Sequence, residues 1–161
     1  MESRKILVAY FSATGTTAGV AKKLAGALNA DLFEIKPQNP YTAKDLNWRD
    51  KESRSSIEMA NTTSRPEIAS QIEDISIYDT VFVGFPIWWY REPSIIDTFM
   101  ESYDFETKTV IPFATSGSSD IGSCSENIKA IAPKAEVMPG KRFDASVSAE
   151  ALKKWANGLL K

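Results

Sequence analysis

Ile6-Leu7-Val8-Ala9-Tyr10-Phe11-Ser12-Ala13-Thr14-Gly15-Thr16-Thr17 is the stretch that decides the fold of this chain. Its first half is a continuous apolar run, the pattern of a strand buried on both faces rather than one that turns a face to water. Its second half changes abruptly to hydroxyl-bearing residues around a glycine. Val20, Leu24 and Leu28 then recur at every fourth position, with Ala21 and Ala25 beside them, and that stripe predicts a helix. Buried strand, polar turn and amphipathic helix in that order open a strand–helix–strand crossover.

The same alternation continues outward. Leu32-Phe33-Glu34-Ile35 reads as a second strand ended by Pro37, and Thr80 to Gly84 as a third. Thr109 to Phe113 reads as a fourth, blemished by Pro112, because an interior proline removes a ladder hydrogen bond. Glu136-Val137-Met138 is a weak fifth. Helices fit between Pro93 and Tyr103, with Pro93 in the first turn, between Ser123 and Ala132, and between Ser148 and Leu160. The expected architecture is therefore α/β, a doubly wound five-stranded parallel sheet in a single domain over residues 1–161. The stretch from Pro37 to Pro66 fits less well, with nine charged residues in thirty and no clear period. So long a structureless loop is unusual in a compact domain, so this insertion either holds its own helix within Asp45–Asn61 or is a lid. Trp48, Ile57 and Met59 are its candidate anchors to the body.

Composition removes whole classes of function. The chain has 161 residues and no histidine, which excludes Ser-His-Asp and Cys-His nucleophilic sites, histidine bases and histidine metal ligands. One cysteine, Cys124, excludes an internal disulfide, a Cys-x-x-Cys pair and a thiolate zinc site. A net charge of −2 carries no basic surplus for nucleic acid or anionic membranes. The longest greasy stretches are broken far short of the ~20 residues a membrane span needs, and a cytoplasmic protein is expected.

Ligands of open parallel sheets bind outside the carboxyl ends of the strands, where the winding direction reverses. The loop after strand one carries Ser12, Thr14, Gly15, Thr16 and Thr17 and opens a helix, whose orphan N–H groups and dipole attract anions. No Lys or Arg lies between Lys5 and Lys22, so a phosphate held here rests on hydroxyls, N–H groups and the dipole alone. The loop is neither a Walker A motif nor a Gly-x-Gly-x-x-Gly fingerprint. A polar turn whose Ser or Thr caps the helix explains it equally well. After strand three, Gly84-Phe85-Pro86-Ile87-Trp88-Trp89-Tyr90-Arg91-Glu92-Pro93 places adjacent tryptophans between prolines on a loop. They suit stacking on a planar aromatic ligand, or a hydrophobic plug or dimer contact. After strand four, Thr115-Ser116-Gly117-Ser118-Ser119-Asp120-Ile121-Gly122-Ser123 permits close backbone approach and offers hydrogen bonds to a polar ring edge, unless it is simply a flexible loop.

Taken together these residues resemble the flavodoxin family. Val8, Tyr10, Ser12, Gly15, Thr17, Ala21 and Leu24 match its first-strand signature, and Ala9 departs from it. The resemblance implies strand order 2-1-3-4-5 with FMN at the switch point, a geometry for which flavodoxin itself is the standard example. It implies that Ser12, Thr14, Gly15, Thr16 and Thr17 bind the FMN phosphate. Pro86, Ile87, Trp88 and Trp89, with Thr115, Ser116, Gly117, Ser118, Asp120 and Gly122, would flank the flavin. The second and third loops are similar to those of a bacterial subgroup that also carries an insertion after strand two. Two departures bear on mechanism. The near-neutral charge makes electrostatic steering of a redox partner weak. No glycine lies between Phe85 and Pro93, where many flavodoxins use a peptide flip beside flavin N5 to stabilise the half-reduced flavin. Asp120 either disfavours an anionic reduced flavin by repulsion or simply faces water or caps the next helix.

The leading expectation is an FMN-binding electron-transfer protein, serving a redox partner protein or a small-molecule electron acceptor. The cofactor carries the chemistry, so no catalytic acid or base is needed. The alternatives are an FMN-dependent NAD(P)H:quinone or nitro reductase and a non-catalytic binding module that has lost its cofactor. A phosphatase of similar fold would need a Cys and an Arg in the first loop, which has neither. A phosphoacceptor would need an acidic pocket where Tyr10-Phe11 stand. Trp155 and Cys124 are assigned to packing.

Overall fold

The computed structural model describes residues 5–89, 91–116, 121 and 124–160. Its elements follow in the order β1 (Ile6–Tyr10), α1 (Thr16–Leu28), β2 (Asp31–Glu34), α2 (Arg54–Ala60), a 3-10 turn (Ile75–Ile77), β3 (Thr80–Pro86), α3 (Ser94–Ser102), β4 (Thr109–Thr115), α4 (Cys124–Ile131), β5 (Glu136–Val137), β6 (Lys141–Phe143) and α5 (Ala149–Leu159). The strands pair in parallel in the order β2-β1-β3-β4-β5, with β6 also pairing β4, so the expected 2-1-3-4-5 sheet is present. The winding reverses between β1 and β3, whose carboxyl ends lie side by side with Tyr10 opposite Gly84.

Both faces of the sheet are covered, which is why β1 reads as an unbroken apolar run. Leu7, Ala9 and Phe11 join Val81, Val83 and Phe85 on the face packed by α3 and α4. Val8 and Tyr10 join Phe82, Ile111 and Phe113 on the opposite face, with Val20 and Leu24 of α1 and Leu152 of α5. Trp155 packs edge-on against Phe143 and Phe82 at ring-centroid distances of 5.0 and 5.8 Å, and Cys124 is fully buried, so both are packing residues. Burial pushes the Cys124 thiol up to about 12, with the Glu92 charge adding to the shift, so it is no nucleophile at neutral pH.

Pro112 is accommodated by a gap in its neighbour. Val110, two residues earlier on the same edge of β4, accepts from Met138 N–H at 2.9 Å. Pro112 faces the interval between β5, which pairs with Thr109 and Val110, and β6, which pairs with Phe113 to Thr115. No ladder donor is needed there, so the weak fifth strand is a split one, and its second piece, Lys141–Phe143, has no apolar pattern to announce it. At the helix starts, Pro93 is the N-cap of α3 rather than a first-turn residue, and Ser148 caps α5 by accepting from Ala151 N–H at 3.1 Å.

The insertion holds its own helix, α2, as one of the two readings required. Its ends are stitched together: Gln38 N–H donates to Glu67 C=O at 2.8 Å, Ala69 N–H to Lys36 C=O at 2.7 Å, and Pro37 bridges Ile68. Only one of the three expected anchors is an anchor. Met59 is buried, whereas Trp48 and Ile57 are 65% and 57% exposed. The seam is made instead by Tyr41 and Ile68, which pack against the α3/α4-side core.

Gly84 is a close-approach glycine. A Cβ there would lie 2.2 Å from Cζ of the buried Phe113 ring. Gly84→Ala is expected to destabilise the fold by about 1–3 kcal/mol, the range for overpacking, as a lower denaturant midpoint with unchanged slope; an unchanged midpoint would mean that Phe113 yields freely.

Candidate functional site

The chain leaves the sheet at Phe11, whose N–H donates to Gly84 C=O at 2.9 Å. The Ser12 hydroxyl accepts from Gly15 N–H at 3.0 Å and closes the turn. Gly15 has φ +95°, a conformation that disfavours any residue with a Cβ, so the glycine is required by the backbone. Helix α1 then starts at Thr16 with no side-chain cap and no acidic residue in its first turn. The capping explanation of these hydroxyls is therefore not the one realised: the Ser12 hydroxyl is spent before the helix begins. Thr14 and Thr16 are exposed, their hydroxyls 3.5 Å apart. Thr17 is buried and shares a 2.7 Å hydrogen bond with Thr115 at the end of β4. That bond ties the first loop to the third.

The second loop is tied to the third as well. Pro86 is the last residue of β3, opposite Thr115, and Ile87 N–H donates to Thr115 C=O at 3.3 Å. Trp88 and Arg91 then exchange backbone hydrogen bonds at 3.0 and 3.1 Å, closing a tight turn. Within it Trp89 adopts φ +49°, left-handed backbone unusual for so bulky a residue, and the residue is 43% exposed. The adjacent indoles thus have different surroundings. Trp88 is half-buried, edge-on to Phe11 and Tyr41 at 5.6 and 5.4 Å, while Trp89 faces outward. Ser12, Thr14, Gly15, Thr16, Thr17, Pro86, Ile87, Trp88, Trp89, Thr115 and Ser116 accordingly gather at the carboxyl ends of β1, β3 and β4. Gly117, Ser118, Asp120 and Gly122 lie outside the described residues.

Sequence reasoning missed three groups near these loops. Arg142, the central residue of β6, donates to Ser116 C=O at 2.8 Å and pairs with Asp144 at 2.7 Å. It brings a cation beside the third loop, which the local sequence of that loop does not contain. Tyr41, from the insertion, lies against Phe11 and Trp88. Behind the second loop, Glu92 and Asp97 are buried together. Asn127 donates to Glu92 at 3.0 Å, while Arg91 and Arg65 stand 3.8 and 3.9 Å from Asp97. Burial, reinforced by a hydrogen bond to Glu92 and its charge, raises Asp97 to about 8. Two acids five residues apart at the start of a helix were the only available signal, and it is a common one. Among the described residues no group of His, Cys, Asp and Glu could hold a metal ion, and no helix is long and apolar enough to cross a membrane.

A family model described as flavodoxin matches residues 5–159. The chain belongs to the flavodoxin family. A candidate flavoprotein of Bacteroides eggerthii is 46% identical, with 99% of each chain covered and a TM-score of 0.93. A second, from Bacteroides uniformis, is 48% identical over 97% of this chain and 99% of that one, with a TM-score of 0.91. A Lactobacillus acidophilus flavoprotein solved in complex with FMN is 22% identical over 96% of this chain and 99% of its own, with a TM-score of 0.72, and so shares the fold. No curated protein matches. The flavodoxin family identity agrees with the strand order and with the gathering of the three loops at the switch point.

The buried acid pair yields a pH prediction. Asp97 binds its proton more tightly in the fold than in the unfolded chain, where such groups titrate near 4. Its stabilising contribution is therefore complete below that value and is lost as pH rises toward about 8. Asp97→Asn keeps the neutral form throughout. Wild type and variant are expected to unfold at similar temperatures near pH 4.5 and the variant at the higher temperature near pH 8.5; a gap independent of pH would show that Asp97 does not titrate in this window.

Proposed function

We propose that this flavodoxin-family chain binds FMN across its three carboxyl-end loops and acts in electron transfer. The observation that carries the reading is the start of α1: an uncapped helix N-terminus with the exposed hydroxyls of Thr14 and Thr16 beside it and no acidic residue in the first turn. Helix N-termini bind phosphate through free N–H groups and the dipole, so the residues present fit a phosphate ester. Ser12 and Gly15 would shape the turn, Thr14 and Thr16 would donate to the phosphate, and Thr17 would hold the loop to β4. The exposed Trp89, with Pro86 and Ile87, would offer the flavin ring an apolar wall, and Thr115 and Ser116 the other side, continued by Gly117, Ser118, Asp120 and Gly122. The flavin supplies the redox chemistry, while the chain binds it, orients it and screens it from water. The FMN complex of the Lactobacillus acidophilus protein agrees with this choice of ligand.

One feature favours a second reading, an FMN-dependent NAD(P)H:quinone or nitro reductase. The turn from Trp88 to Arg91 is closed at both ends by backbone hydrogen bonds, and a tryptophan holds its left-handed position. A turn so built resists the peptide flip that a glycine beside the flavin allows in classical flavodoxins. Steady oxidation of NADH or NADPH by the loaded protein with a quinone would make it a reductase. A protein reduced photochemically that leaves nicotinamides untouched would be a carrier serving a redox partner.

Binding is tested directly by flavin titration. Wild type is expected to quench flavin fluorescence, and Thr14→Ala with Thr16→Ala to weaken FMN by about tenfold or more, as for lost hydrogen bonds to a charged group. Riboflavin, which lacks the phosphate, should be nearly unaffected; equal loss of both ligands would remove the phosphate from this loop.

A further inference from the structure

The insertion reaches the second loop through the ring of Tyr41. Tyr41 stands edge-on to Trp88 at 5.4 Å and to Phe11 at 5.6 Å. The Arg54 guanidinium lies 3.8 Å from the Tyr41 ring centroid, within reach of a cation–π contact. The Tyr41 hydroxyl donates to the Glu58 carboxylate, and Arg54 Nε donates to the same carboxylate at 3.0 Å. Arg54 also donates to Asn39 C=O, and the Ser94 hydroxyl to Glu58 C=O at 3.3 Å, tying α2 to the start of α3. Burial and the Glu58 hydrogen bond hold the Tyr41 phenol above its ordinary pKa, so it stays a donor across the neutral range. Tyr41 is thus fixed by its hydroxyl and by contacts around its ring, while Trp88 is placed by ring contacts and by its backbone pairing with Arg91. The turn that presents Trp89 outward begins at Trp88.

We propose that Tyr41 is a positioning residue for flavin binding: clamped by Arg54 and Glu58 of the insertion, it holds Trp88 and thereby the Trp88–Arg91 turn in the shape that receives the planar ring. The insertion then acts as a brace on the ring wall. This rests on the FMN reading above, but it concerns the ring end of the ligand rather than its phosphate, and that difference makes it separable.

The test is titration of FMN and riboflavin into wild type, Tyr41→Leu, Tyr41→Phe and Trp48→Ala, with the melting temperature of each apoprotein and the visible flavin spectrum of each complex. Tyr41→Leu loses two aromatic contacts and is expected to weaken both flavins by about tenfold, the scale of such pairs, leaving the ratio of the two affinities unchanged and shifting the bound-flavin spectrum. Tyr41→Phe keeps the ring and should restore both affinities to within about threefold, the scale of one hydrogen bond. Trp48→Ala, in the same insertion but exposed, should match wild type. The proposal is overturned if Tyr41→Leu binds both flavins as wild type does, if it weakens FMN alone, if Tyr41→Phe is as impaired as Tyr41→Leu, or if Trp48→Ala weakens binding equally. Wild type that bound neither flavin would bring down the FMN reading and this one together; wild-type binding with an unaffected Leu variant brings down the brace alone.

Discussion

Strand β1 has no exposed face. Its side chains alternate between two buried clusters, one under α3 and α4 and the other under α1 and α5. A strand so enclosed can place polar groups only beyond its ends, and the change from Phe11 to Ser12 is where the sequence does so. The Phe11 N–H is satisfied by Gly84 C=O, and from that point the chain must turn away from the sheet. Because the sheet winds outward in both directions from β1 and β3, α1 and α3 pack on opposite faces, and the loops meet at the carboxyl ends of the two strands.

What holds the loops in register is short-range and polar. The Thr17–Thr115 hydrogen bond and the Ile87–Thr115 backbone contact both converge on the last residue of β4. Thr115 thus joins the loop that opens α1 to the loop that carries the tryptophans. Buried hydrogen bonds of this kind contribute modestly when made and cost more when one partner is removed. The aromatic contacts act on the same loops from the side: Phe11 belongs to β1's own end, Trp88 to the second loop and Tyr41 to the insertion. A single ring cluster therefore links the core, the loop and the one segment that departs from regular strand–helix alternation.

The acid pair behind the second loop follows a different logic. Glu92 and Asp97 are buried close to Arg91 and Arg65, and burial, with the hydrogen bond and charge of Glu92 adding to it, raises the Asp97 pKa above the usual carboxylate range. These arginines tie the insertion and the second loop to α3: Arg65 also pairs with Glu101 at 3.0 Å, and Arg91 donates to Ser94 at 3.2 Å.

The strands, the helices that follow β1, β3, β4 and β5, and the position of the polar loops were legible in the sequence, since buried strands, four-residue stripes and the abrupt polar turn after Phe11 are local patterns, whereas the strand order was implied only by the family resemblance. Tertiary structure alone decided which side chains serve which loop. Pro112 reads as a defect until β5 and β6 are seen to leave a gap beside it. Trp48 and Ile57 read as anchors by their hydrophobicity, yet the insertion's seam is made by Tyr41 and Ile68, because a residue's burial depends on what faces it and not on its own apolar area. Arg142 reads as a solvated charge until β6 brings it to Ser116. Contacts between residues thirty or a hundred positions apart leave no period in a chain, so local reading found the loops and only the packed fold could join them.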